Sequence, residues 1–328
     1  MQSSLFSFDT LTENEALSVF LNDNHQKEVS FDVFKKNYTN TRNVHNHTIE
    51  NLFLYFDLKK NMQSKKIVFY AKSVLFINAR RHKLFVYDDS DILKYLNFDA
   101  IEKCDALKSK FLIYSSVELN DKQSFSETKY KECVYDLNAI FDSKTYEEKY
   151  AGCSMKKIKK KIYNRIKYPF VYLDTEKFSY ALISKENVSD VDLIHAKWVK
   201  HKLEDEKTFQ IMFSAKRYMF CVNEVLNDEN LKDSKFYKRV FYWENKPVAA
   251  RLCLLKDNQS YDLAFFSTFF ECPSNLILYI NAFCLFELKE QFNITNHNCG
   301  MELNKLLKTS KEHFPSTHLI GYKYNFKK

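Results

Sequence analysis

The chain has 328 residues, 45% hydrophobic and 28% charged, which excludes a mainly disordered protein and gives room for one large or two medium domains. Only 3 Gly and 4 Pro accompany abundant Lys, Asn, Phe and Tyr, and neither GxGxxG nor GxxxxGK[ST] occurs, so chemistry built on a Gly-rich phosphate cradle is excluded. The net charge of +8 favours an anionic partner, with a solvated, lysine-rich surface as the plain alternative.

In chain order, a helix is expected over Thr12–Leu21. Short aromatic and β-branched runs then read as strands at Asn51–Leu58, Lys65–Tyr70, Val74–Asn78, Lys83–Tyr87, Lys110–Glu118 and Lys131–Leu137, with a helix at Ser90–Leu96. The aperiodic stretch Asn120–Thr128 reads as a linker or hairpin loop. Over Ser154–Lys167, Met155, Ile158, Ile162 and Ile166 fall on one helical face, while Lys156, Lys157, Lys160 and Arg165 are among the cations that fill the rest; Pro169 stops the helix.

Helices follow at Asp190–Leu203 and Ser214–Leu226. Next come three strands in hairpin order, Phe236–Trp243, Val248–Lys256 and Tyr261–Ser267. Asn275–Glu290 is apolar almost all round from Leu276 to Phe286, the pattern of a helix buried against a sheet. A strand at Phe292–Asn296, a loop at Asn298–Gly300, a helix at Met301–His313 and a strand at Thr317–Tyr324 complete the expected order.

The eight cysteines form no CxxC pair and no metal-finger spacing, so reduced thiols and no metal site are expected. The opening residues carry acids and no basic run before an apolar stretch, and Asn281 interrupts the longest apolar run. A protein with no membrane span is expected, placed in the cytoplasm, or in the host cytoplasm if viral.

The element order from residue 131 onward resembles the GCN5-related N-acetyltransferase-like fold. The runs YKECVYDLNAI (130–140), YEEKYAGCSMKKIKKKIYNRI (146–166), ITNHNCG (294–300) and LLKTSKEHFP (306–315), with Trp198 on an intervening helix, are more specifically similar to the C-terminal domain of phosphatidylglycerol lysyltransferases and to the related Fem-type aminoacyltransferases and phage amino acid:DNA transferases. The resemblance implies an α+β fold of two tandem acetyltransferase-like domains, each a mixed sheet flanked by helices, the N-terminal one degenerate. The corresponding division is 1–130, a connecting strand and basic helix at 131–175, and 176–328.

It also implies an acyltransferase that moves an aminoacyl or other acyl group to an amine or hydroxyl acceptor, modified DNA being one candidate. In this reading Lys311 matches the lysine closing the relatives' pattern and could stabilise an oxyanion. Asn298 and Gly300 lie where such sheets open, and His297 beside them could serve as a general base. Arg251, a charge in an otherwise apolar strand with Asp262 as a candidate partner, would bind substrate together with Tyr261 and Asn281. Lys156, Lys157, Lys160 and Arg165 would contact the phosphates of a polyanionic tRNA or DNA substrate. The place where acetyl-coenzyme A users keep a Gly-rich pyrophosphate loop is here Phe269–Ser274, with no Gly, which favours an aminoacyl-tRNA donor over acetyl-coenzyme A and leaves no cofactor firmly expected. The other reading, from a different class, is a catalytically silent fold of this type that binds nucleic acid or a protein partner.

Overall fold

The computed structural model describes residues 28–37, 67–70, 72–76, 82–87, 90–96, 111–142, 173–205, 219, 222–223, 225–227, 235–273, 276–301 and 316–327. The helices expected at Thr12–Leu21 and Ser154–Lys167, the strand at Asn51–Leu58 and residues 302–313 of the last expected helix lie outside these residues. The chain divides into two compact units. Unit 1 is Met1–Lys131 together with Leu319–Lys328, and unit 2 is Glu132–His318.

Unit 1 contains helix α1 (Phe31–Asn37), strands β1 (Ile67–Phe69), β2 (Ser73–Phe76), β3 (His82–Val86) and β4 (Phe111–Ser115), a short 3-10 turn at Ile92–Tyr95, the start of β5 (Phe125–Asp136) and most of β11 (Ser316–Phe326). The strand order is β1-β2-β3-β4-β11-β5. β1, β2 and β3 pair antiparallel, β3 runs parallel to β4, and β4 pairs antiparallel with β11. Leu84, Leu93, Ile113 and Tyr324 lie in its core, and the Tyr324 hydroxyl accepts from the Leu119 N–H at 2.9 Å.

The structure corrects one expectation here: Asn120–Thr128 is not wholly loop, because β5 begins at Phe125. The Phe125 ring is buried against Phe326 at 4.3 Å, and Ser126 Oγ donates to the Asn325 carbonyl. Both partners come from the far end of the chain, so the local turn composition is overridden by packing.

In unit 2 the end of β5 leads through Asp136, whose carboxylate accepts from the Ala139 N–H at 3.0 Å as an N-cap, into helix α2 (Leu137–Phe141). There follow β6 (Phe178–Leu182), helix α3 (Val188–Asp205), β7 (Lys235–Trp243), β8 (Lys246–Lys256), β9 (Gln259–Ser267), a 3-10 turn at Phe269–Glu271, helix α4 (Leu276–Phe292) and β10 (Asn296–Met301). Between α3 and β7, the described residues 222–223 and 225–227 are helical. The strand order is β5-β10-β9-β8-β7-β6.

The meander forms for local reasons. Trp243 pairs with Lys246 across the two-residue loop Glu244–Asn245, whose φ values of 50° and 61° are the left-handed pair that a twist-matched hairpin turn requires. The loop Asp257–Asn258 likewise joins Lys256 to its partner Gln259, with Asp257 at φ 54°. Along β8 and β9 side chains alternate between faces. Arg251 and Phe265 share one face with α4, which reaches it through Asn281, whereas Phe266 faces α3, meeting the His195 ring edge-on at 5.5 Å. The sheet is therefore covered on both sides, which is why β8 is buried from Val248 to Leu255 and why α4 carries Leu276, Ile280, Phe283, Leu285 and Leu288 into the core.

A second correction concerns the end of α4. The sequence pattern puts a strand at Phe292–Asn296 and a loop at Asn298–Gly300; instead the helix runs to Phe292 and the strand begins at Asn296. Asn293 takes the left-handed conformation at φ 55°, and the Ile294 N–H reaches back to the Leu288 carbonyl at 3.1 Å. An Asn thus stands in the left-handed position that Gly usually takes at a helix end, with the closing hydrogen bond spanning seven residues and Ile294 packed in the same core as Leu288.

Strand, helix, three antiparallel strands, buried helix and a final strand parallel to its predecessor form an arrangement that fits a GCN5-related acetyltransferase-like fold. Among the described residues no helix is long and apolar enough to cross a membrane.

Candidate functional site

Among the described residues of unit 2, β9 and β10 are the one parallel pair, and their ladder is short. Asn296 faces Gln259, His297 faces Ser260 and Asn298 faces Tyr261; no further pairs join the two strands, although β9 runs on to Ser267 and β10 to Met301. On its other side β10 pairs with β5, and the register shifts between Asn298 and Met301. The two neighbours thus part after a three-residue base.

At that base lies a buried polar network with Arg251 at its centre. Its side chain is 2% exposed, so each N–H must find a partner within the protein. Nε donates to Asp262 Oδ1 at 3.3 Å and Nη2 to Asp262 Oδ2 at 3.1 Å; Nη1 donates to Asn281 Oδ1 and Nη2 also to His297 Nε2 at 2.7 Å. The guanidinium further lies 5.0 Å from the centre of the Phe265 ring. Burial opposes its charge, but Asp262 and the neighbouring thiols of Cys253, Cys284 and Cys299 hold it well above the ordinary arginine range. One side chain thereby joins β8, β9, β10 and α4.

His297 is fully buried, and its Nδ1 is 2.8 Å from Ser260 Oγ. The sequence-expected Arg251, Asn281 and His297 are brought together by these contacts. Asn298 and Tyr261, adjacent in sequence to His297 and Ser260, alternate to the other face: Asn298 Nδ2 donates to Glu132 Oε2 at 2.9 Å, both groups buried, and the Tyr261 hydroxyl donates to Gln259 Oε1 at 3.3 Å. Gly300 lies within β10. Lys156, Lys157, Lys160, Arg165 and Lys311 lie outside the described residues.

Several buried polar residues at or near this base were not singled out from sequence. Ser260 falls just before the strand expected at Tyr261–Ser267, among polar turn formers. Glu132 precedes the apolar residues Cys133, Val134 and Tyr135 of β5, and an acid leading into an apolar strand is the available signal. On the same α4 face Glu287, 2% exposed, accepts from the Tyr237 hydroxyl at 2.7 Å and from Arg239 Nη2 at 3.3 Å. Burial raises the Tyr237 phenol well above its usual range, and Cys284 and Glu287 add to this. Burial likewise pushes the Cys299 thiol well up, with Cys133 adding to the shift, so the thiolate that nucleophilic chemistry needs is disfavoured.

Beyond β9, the described residues of the segment Phe269–Ser274 offer little to a pyrophosphate. The Glu271 N–H donates to the Thr268 carbonyl, Pro273 has no N–H, and the Glu271 carboxylate pairs with Lys197 Nζ at 2.6 Å. His201 stacks on Phe270 with centroids 4.2 Å apart. Among the described residues no group of three or more His, Cys, Asp or Glu could hold a metal ion.

No family model matches the sequence, and no curated protein does. Among solved structures, a conserved protein of unknown function from Bacteroides thetaiotaomicron VPI-5482 is similar at 12% identity and a TM-score of 0.61, over 92% of this chain and 99% of that one. The two share a fold. L-PGS from Bacillus licheniformis is similar at 12% identity and a TM-score of 0.49, over 78% of this chain and 82% of that one. The C-terminal domain (DUF2156) of a putative lysylphosphatidylglycerol synthetase from Agrobacterium fabrum is similar at 11% identity and a TM-score of 0.47, over 80% and 81%.

Proposed function

We propose that the chain is an acyltransferase that moves an aminoacyl group from an activated ester donor to an amine or hydroxyl acceptor. The observation that carries this reading is the parallel β9–β10 pair that separates after Tyr261 and Asn298, next to the run ITNHNCG on which the family resemblance rests. An opening between two sheet strands gives a donor ester and an acceptor a place to meet in fixed orientation, which is the main contribution a direct-transfer enzyme makes. The acceptor nitrogen or oxygen attacks the ester carbonyl and forms the new acyl bond, the donor's C–O bond breaks, and the acceptor's proton passes to the departing oxygen, which leaves as a hydroxyl. Lys311 would stabilise the oxyanion formed on the way.

An aminoacyl-tRNA is the donor in this proposal, and a polyanion, modified DNA included, is the acceptor. Net charge and the basic run at 155–167 support a polyanionic partner. The Gly-free, internally bonded segment after β9 argues against coenzyme A, and no step is routed through it. Unit 1 belongs to the same proposal as a second, degenerate copy: β1, β2 and β3 pair antiparallel and β4 then returns parallel to β3, the order in which β7, β8 and β9 are followed by β10.

The test is transfer of a radiolabelled amino acid from charged tRNA, run beside acetyl transfer from coenzyme A, to DNA acceptors, with Lys311→Ala and Arg165→Ala as controls. Aminoacyl transfer that both substitutions weaken is expected. No transfer from either donor, with salt-sensitive nucleic-acid binding that Lys157 and Lys160 substitutions reduce, would replace the proposal with a silent binding module.

A further inference from the structure

We infer that His297 is a positioning residue and not a proton-transfer group: with Arg251, Asp262, Ser260 and Asn281 it forms a latch that fixes the three-residue base from which β9 and β10 separate. The inference deepens the acyltransferase reading, on which its functional half rests; its structural half stands by itself.

The proton inventory decides the role of the ring. A guanidinium has only donors and keeps its charge in proteins. Arg251 Nη2 lies 2.7 Å from His297 Nε2, so Nε2 must offer its lone pair. A neutral imidazole then carries its proton on Nδ1, which donates to Ser260 Oγ 2.8 Å away. The 3.9 Å approach of Asp262 Oδ2 to Nε2 is accordingly no ion pair, since that nitrogen has no proton to share. The charged and titratable groups facing the ring are Asp262 from β9, Cys253 from β8, Cys284 from α4 and Cys299 from β10, with the Tyr135 ring of β5 6.1 Å from the imidazole.

A general base needs an available lone pair facing the reacting atom. Here the lone pair is taken by a cation that is itself fixed by a carboxylate and an amide, and the ring is fully buried. The same contacts instead hold Ser260 of β9 to His297 of β10 by their side chains, at the residues that pair in the backbone ladder. Arg251 extends the tie to β8, and Asn281 anchors it to the covering helix. Such a tie determines where the ladder stops, and hence where the strands open.

The experiment has two arms. In the first, nitrogen-15 histidine NMR on the full chain, with the His297 signal assigned by its loss in His297→Gln, is expected to show the Nδ1–H tautomer. In His297→Leu, amides of β10 at 296–298 are expected to exchange faster than in wild type. An Nε2–H tautomer, or unchanged exchange in a folded His297→Leu protein, overturns the latch. Because a Gln side chain can accept from Arg251 and donate to Ser260, the second arm expects transfer within about threefold of wild type with an unchanged pH profile for His297→Gln, against a loss of about a hundredfold for His297→Leu. Loss of transfer in His297→Gln together with loss of a pH-profile limb makes His297 the proton carrier and overturns the inference. If wild type transfers nothing, the acyltransferase reading fails while the first arm still decides the latch.

Discussion

Replacing Asp262 by Ala removes the acceptor of two of the four hydrogen bonds that Arg251 makes among the described residues, and the one carboxylate among those partners. The guanidinium cannot swing out to water, because its side chain is 2% exposed. Breaking one partner of a buried ion pair costs about 3–5 kcal/mol. Asp262 itself is 17% exposed, so water can reach part of the vacated space, which places the expected loss at the lower end, about 3 kcal/mol. Arg251→Met is expected to cost a similar amount by stranding Asp262. The double variant Arg251→Met/Asp262→Leu removes both charges, and its remaining cost is the partner lost by His297 and Asn281, about 1–2 kcal/mol. With about 3 kcal/mol for each single variant, the cycle should therefore show a coupling of about 4 kcal/mol. The chain's two tryptophans, Trp198 and Trp243, both lie in unit 2, so tryptophan fluorescence in a urea titration reports that unit specifically. An Asp262→Ala protein within about 0.5 kcal/mol of wild type would mean that the site behaves as an ordinary surface position and that the network is not a buried one.

Three further outcomes are expected. The Tyr242 hydroxyl donates to Asp190 at 2.7 Å, and burial, then Asp190, pushes its pKa up to about 12; a raised phenol pKa adds stability that is full below about pH 10 and lost as pH rises towards 12, so the stability difference between wild type and Tyr242→Phe should vanish over that window in unfolding titrations. A Cβ at Gly321 would stand 2.2 Å from Tyr130 Cζ, so Gly321→Ala forces the ring aside and should cost about 1–3 kcal/mol by circular-dichroism melting, with Tyr130→Ala in the same chain recovering part of the loss. Burial raises the thiol pKa of Cys284 to about 11 and also pushes the Cys253 and Cys299 thiols well up, so iodoacetamide at pH 8 should leave all three unlabelled in the native protein and label them in urea, as read by peptide mass spectrometry.

The meander β7–β8–β9 was legible to within two residues at each end, because alternating runs and short polar turns are local signals. The covering helix was legible from its all-round apolarity, although the buried Glu287 within it has its partners on β7, far away in sequence. The start of β5 was not legible, since what turns Phe125 into a strand residue is a ring 201 positions later. Nor was the end of α4: Asn293 in the left-handed conformation closes the helix, a role usually signalled by Gly, in a chain that has only three. The Arg251–Asp262 pair could be anticipated as a charge on one strand facing an acid on the next. Ser260 could not, because its partner depends on how β9 and β10 are aligned.

That alignment also changes how the expected site is put together. In a loop, His297 and Asn298 could have turned towards the same reacting atom. In a strand they cannot, because neighbouring side chains leave on opposite faces. His297 goes with Arg251 beneath α4, and Asn298 goes to the other face with Glu132. A group seated between the separating strands would then have a charge-balanced, hydrogen-bonded cluster to one side and the Asn298–Glu132 pair to the other. Of these two, only the second offers an amide held by a carboxylate, an arrangement suited to fixing the orientation of a polar substrate. Substituting Glu132 by Gln, which keeps the shape and removes the charge, should for this reason weaken acceptor binding more than His297→Gln does; equal effects of the two on KM in the transfer assay would refute the division of roles between the faces.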